Sequence, residues 1–111
     1  MKTSELTGRT LNWAVARCRG FEGIDEDQWL LRGGIADMPL SAYNPSTDWA
    51  HGGQIIDRER IAIKPFKDGG EWLAKLRTHQ HDGPTPLIAA MRCFVASRLG
   101  DEVDVPAELE D

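Results

Sequence analysis

The stretch from Pro84-Thr85-Pro86-Leu87 to Leu99-Gly100 limits the possible folds most, because a start signal, a buried face and a stop signal coincide in it. Thr85 is placed to cap a helix, and Pro86 falls at the first helical position, where a missing N–H costs nothing. Leu87, Ile88, Met91, Phe94, Val95 and Leu99 recur at three- and four-residue steps, which predicts one apolar stripe. Arg92 and Arg98 fall off that stripe, and Gly100 is free to turn left-handed at the C-cap. A helix over about 86–99 with such a face must bury it, so the chain folds as a globular protein.

A second helix, over about 7–19, is predicted near the start. Thr7 can cap it, and Leu6 and Leu11 form a hydrophobic staple. Leu11, Ala14, Val15 and Cys18 make the inner face, Arg9, Arg17 and Arg19 lie outside, and Gly20 stops it. From Phe21 to Asp68 the helical period is lost. Gln28–Arg32 and Arg60–Lys64 read as short strands, separated by a loop-like segment from Met38 to Gly53. Ile55–Glu59 fits a single helical turn or a strand extension equally well. Residues of about 70–77 read as a short amphipathic helix and Thr78–Gly83 as a polar loop, while Val103–Pro106 can pair briefly at a sheet edge. The expectation is α+β: a small, mostly antiparallel sheet packed against two main helices and one short one, in a single domain spanning 1–111. An acidic tail over about 104–111 is expected to fray.

At 111 residues the chain can bury an ordinary core without metal or disulfide. No apolar run approaches the ~20 residues that span a bilayer, and the polar start Met1-Lys2-Thr3-Ser4-Glu5 lacks a secretory signal, which points to a cytoplasmic, non-membrane protein. Cys18 and Cys93 fall on the two helices in apolar surroundings and read as buried thiols. The net charge of −5 is concentrated at the end: the last eleven residues hold six acids and no bases, and the first hundred are nearly balanced. Such a tail is expected to act through solubility.

Several polar groups could carry chemistry, and each has a plainer reading. His79, His81 and Asp82, with His51 as a distant third ligand, fall short of a tetrahedral metal set and read as a solvated loop. Ser46, Thr47, Asp48 and His51 lie too close in sequence to form a catalytic triad, and no nucleophile elbow is present. Asn44–Trp49 reads instead as turn chemistry or a helix cap that leads Trp49 into the core. Asp57-Arg58-Glu59-Arg60 could support acid–base work if buried, but fits a solvated charged face with Arg58 as an anchor. No phosphate loop is present. Arg9, Arg17 and Arg19 give a small basic patch, a weak case for DNA or RNA. Trp13, Trp29, Trp49 and Trp72 suggest a shared core or groove rim. Trp13 falls two positions off the inner stripe, which predicts partial exposure.

Glu5–Ala16, Pro45–Glu59, Gly83–Ser97 and Gly100–Val103, taken together in order, resemble the NinX-like proteins of tailed phages and prophages. Asn12 stands where Asp is expected in relatives, Gly23–Leu40 looks particular to this chain, and His79 and His81 lie outside the shared pattern. The resemblance implies expression from a phage or prophage inside a bacterium, and it supplies no activity, cofactor or active site. The expected function is therefore a non-enzymatic accessory protein that binds a host or phage protein, with a homodimer as one arrangement. The expected contact residues are Trp49, Asp57, Arg58 and Glu59. The alternatives are a small-molecule enzyme using Asp57, Arg58 and Glu59, or a nucleic-acid binder using Arg9, Arg17 and Arg19.

Overall fold

The C-terminal helix forms as expected and lies at the centre of the molecule. The structure, a computed structural model, describes residues 1–20, 23–25, 30–32, 38–39, 42–66 and 69–109. Three helices are described: α1 (Gly8–Cys18), α2 (Trp49–Glu59) and α3 (Pro86–Leu99). A three-stranded antiparallel sheet joins β1 (Gly23–Asp25), β2 (Leu30–Arg32) and β3 (Met38–Pro39) in that order. A second joins β4 (Ala62–Pro65), β5 (Trp72–Leu76) and β6 (His79–Gly83), also antiparallel and in chain order. The architecture is α+β, with the β4–β5–β6 sheet against α3. No helix among the described residues is long and apolar enough to cross a membrane.

Helix α3 starts where its sequence signals place it. Thr85 Oγ1 accepts the Ile88 N–H at 3.1 Å, and Pro86 takes the first turn. Burial is wider than one stripe: Leu87 to Met91 and Cys93 to Ala96 are all buried, whereas Leu99, counted in the stripe, is 39% exposed. A helix apolar on every side must be covered on every side, and here β4, β5, β6, α1 and α2 surround it. Between Leu87 and Ala96, Arg92 is the polar exception. It donates Nε–H to the Leu6 carbonyl and Nη1–H to the Asp82 carbonyl, each at 2.9 Å, so one side chain ties the N-terminal segment and β6 to the central helix.

Helix α1 follows Thr7, and Leu6 and Leu11 are fully buried, as the staple requires. Thr10 Oγ1 accepts the Thr7 N–H at 3.2 Å and donates to the Thr7 carbonyl at 2.7 Å. Trp13 departs from expectation: it is only 8% exposed, with the Arg17 guanidinium 5.8 Å from its ring centroid. The inner face is wider than its sequence period suggests, because every residue from Thr10 to Ala16 is buried.

The expected short helix over about 70–77 is instead strand β5, and the expected loop after it is strand β6. The run Trp72-Leu73-Ala74-Lys75-Leu76 fits both periods, but it is too short to sustain a helix unaided. Cross-strand pairing decides the matter: Trp72 faces Gly83, Ala74 faces His81, and Leu76 faces His79 across a two-residue turn. Ala74 and Leu76 alternate into the core with Lys75 outside. The chain end also packs further than expected. Val103, Val105 and Leu109 are buried, so the segment is held through Leu109 by its apolar residues. Its pairing is with the N-terminal segment: the Val103 N–H reaches the Met1 carbonyl at 2.9 Å.

Arg92→Met removes both carbonyl contacts while keeping an unbranched apolar stem. Thermal and denaturant unfolding should show a loss of about 1–3 kcal/mol; unchanged stability would show that the two carbonyls are served equally well by water.

A candidate groove between two helix starts

The segment expected to be a loop up to Gly53 ends earlier, because Asp48 begins a helix. The Asp48 carboxylate accepts the Ala50 N–H at 2.9 Å, and α2 then runs from Trp49 through Glu59, absorbing both Gly52-Gly53 and the ambiguous Ile55–Glu59. Gly52 is a helical position of a special kind. A Cβ there would approach Leu87 Cδ2 to 2.6 Å and the Pro45 carbonyl oxygen more closely still. Helix α2 can therefore lie against the start of α3 only with glycine at this position. At Gly53 a Cβ would meet Trp49 Cε3 at 3.6 Å, an ordinary contact.

The turn before α2 is fixed by three sets of bonds. Asn12, buried on α1, accepts the Ser46 N–H on Oδ1 at 3.0 Å. His51 accepts the Asn44 N–H on Nδ1 at 3.0 Å and stacks on Tyr43 with ring centroids 5.4 Å apart. The Asn44 carbonyl accepts the N–H groups of Asp48 at 2.7 Å and Thr47 at 3.2 Å. Arg19 reaches the Tyr43 hydroxyl at 3.5 Å, and burial pushes that phenol's pKa up. One group is left over. The Ser46 hydroxyl is buried and has no hydrogen-bond partner among the described residues.

Ser46, Thr47 and Trp49 form one wall of a groove of about 350 Å³, and Thr85, Pro86, Leu87 and Ile88 form the other. No lining side chain carries a charge. Trp49 is 55% exposed, so the turn does not carry it into the core; Asp48 caps α2 and leaves the indole at the surface. An apolar trough with a large aromatic at its edge and a fixed floor can receive an apolar group, with hydroxyls available for orientation.

The expected contact residues are divided by the helix. Trp49 lines the groove, while Asp57, Arg58 and Glu59 lie at the other end of α2, about 12–15 Å away at 1.5 Å per residue. The Glu59 carboxylate is held by Arg98 at 2.9 Å and Arg58 at 3.5 Å, which couples the C-terminal ends of α2 and α3. Of the basic residues at α1, Arg17 on the helix covers Trp13, and Arg19 at its C-cap reaches Tyr43. Trp29 lies outside the described residues.

Among the described residues, no group of three His, Cys, Asp or Glu is placed to hold a metal ion. His79 and His81 sit on β6, and burial lowers the His81 pKa. Both cysteines are free thiols. Burial pushes Cys18 up to about 12 and Cys93 up to about 11, and Cys93 donates to the Ala74 carbonyl at 3.1 Å, so neither provides a thiolate nucleophile near neutrality.

The two glycines separate packing from propensity. Gly→Ala inside a helix ordinarily stabilises by roughly 0.5–1 kcal/mol. At Gly53 that gain should appear as a raised Tm. At Gly52 the forced separation of α2 from α3 costs about 1–3 kcal/mol and reverses the sign. Melting curves of the two variants check this; a stable Gly52→Ala protein would contradict the close approach.

A family model described as Bacteriophage P22, NinX matches residues 2–98, which include α1, α2, the groove and nearly all of α3. No curated protein matches the chain.

Proposed function

The chain belongs to the NinX family, and we propose that it is a phage accessory protein that binds a host or phage protein through the groove between the starts of α2 and α3. The observation that carries this reading is Trp49: a large aromatic, more than half exposed, at the edge of an uncharged trough whose supporting turn is anchored by Asn12, His51 and Asn44. Tryptophan is enriched among the few residues that dominate interface energies, and a preorganised surface loses little entropy on docking. A catalytic reading through Asp57, Arg58 and Glu59 draws less support, since two arginines occupy the Glu59 carboxylate. A nucleic-acid reading draws less because Arg17 and Arg19 are engaged with Trp13 and Tyr43.

Affinity capture from phage-infected bacteria with the tagged chain and its Trp49→Ala variant tests the proposal. The exposed indole can be removed without unfolding the protein, so the variant should keep its circular dichroism and Tm. A specific protein retained by the parent should be lost from the variant, with affinity reduced at least about thirtyfold for a hot-spot residue. Equal retention by both proteins would refute a role for the groove.

A further inference from the structure

The C-terminal ends of the three helices come together and bring their arginines with them. Arg17 lies in the last turn of α1, Arg58 in that of α2 and Arg98 in that of α3, while Arg19 is the C-cap of α1. Glu59 joins two of them, taking Arg98 at 2.9 Å and Arg58 at 3.5 Å. Cys18 and Tyr43 link these to the rest. Burial raises the Cys18 pKa, and Arg98 and Arg17 act against that rise. Burial raises the Tyr43 pKa as well, and there Arg19 and Arg58 act against it. Four guanidiniums from three helices therefore lie around one thiol and one phenol.

Basic residues at a helix C-terminus ordinarily offset the negative end of its dipole, and here they exceed that need. Each helix end carries roughly half a negative charge and Glu59 one more, so four arginines leave an excess of about 1.5 positive charges. All four are exposed. Among the described residues, Arg17 and Arg19 have no carboxylate partner: Arg17 lies over the Trp13 ring and Arg19 meets the Tyr43 hydroxyl. A ring contact holds a guanidinium by its face and the phenol takes a single N–H, so both side chains keep donors for an anion.

The class of anion follows from what this end of the molecule already holds and from the charge of the whole chain. Glu59 shows that a carboxylate fits between guanidiniums of two helices here. A DNA duplex carries one charge per ~1.7 Å and would run past a patch confined to three helix ends. Beyond that patch it would meet a chain whose net charge is −5. A short acidic peptide can meet the patch alone, and two carboxylates suffice to balance the excess.

We propose that the arginine cluster at the ends of α1, α2 and α3 is a second contact surface, one that takes a short acidic peptide segment of a partner protein with its carboxylates against Arg17 and Arg19. It lies at the opposite ends of α2 and α3 from the groove and does not depend on it.

The test titrates the ¹⁵N-labelled full chain with N-acetyl-hexaglutamate amide, N-acetyl-hexaglutamine amide and a DNA duplex of about 16 base pairs. Hexaglutamate should give saturable shifts at Arg17, Cys18, Arg19, Tyr43, Arg58 and Arg98, and hexaglutamine should give none. Raising the salt from about 50 mM to about 300 mM should weaken hexaglutamate binding at least about tenfold. The duplex should bind at least about tenfold more weakly than the peptide. Arg17→Gln with Arg19→Gln should weaken hexaglutamate about tenfold. Lys64→Gln with Lys75→Gln removes the same charge from the exposed face of β4 and β5 and should change binding less than about twofold. Arg19→Gln alone, at the exposed C-cap, should weaken it about threefold and serves if the first double variant fails to fold. The inference is overturned by dispersed or unsaturable shifts, by binding of hexaglutamine, or by a duplex that binds as tightly as hexaglutamate. Folded Arg19 variants that bind unchanged, or a lysine control that weakens binding equally, would also overturn it.

Discussion

Enclosure of α3 from Leu87 to Ala96 is the constraint on which the other elements depend. Nine of its residues, Leu87 to Met91 and Cys93 to Ala96, are buried, so the helix needs covering elements around its whole girth. Each large apolar side chain so buried contributes about 1.5–3 kcal/mol. The β4–β5–β6 sheet, α1 and α2 provide the cover, and Arg92 fastens the edges by bonding to the Leu6 and Asp82 carbonyls. Removing any one layer would expose apolar surface that no polar residue of α3 can offset.

The groove follows from the way that cover ends. Where α2 meets the first turn of α3, Gly52 allows the two backbones to approach, and the turn from Asn44 to Asp48 bridges them to α1 through Asn12. The turn ties its main chain through this network, and among the described residues the Ser46 hydroxyl has no hydrogen-bond partner. Trp49 is turned outward because Asp48 places it at the first position of α2, beyond the reach of the core. A stable interior and an apolar groove at the surface therefore arise from the same few residues.

The parts of this arrangement visible in the sequence are those determined by local chemistry. Thr85-Pro86 and Gly100 bound α3, Thr7 and Gly20 bound α1, and the alternation around Ile61 and Ile63 indicates β4. The misread elements were decided by long-range contacts. Trp72–Leu76 becomes a strand through pairing on both sides, and Gly52-Gly53 resembles loop punctuation until the closeness of Leu87 explains why a helix contains it. Trp13 and Leu99 exchanged their expected exposures because the covering layers do not follow the helical period of either helix. Of the residues lining the groove, Trp49 was singled out in the sequence. Its separation from Asp57, Arg58 and Glu59 became apparent only with α2 formed. Ser46 could be read only as a turn residue, since the absence of a partner is a property of packing.

Native-state hydrogen exchange across α3 tests the account most directly. If α3 is enclosed on every side, the Met91, Cys93, Phe94 and Val95 amides should exchange only through global unfolding, with opening free energies equal to the stability measured in denaturant. Exchange of these amides through a smaller opening, while the β4–β5–β6 sheet or α1 stays protected, would contradict it.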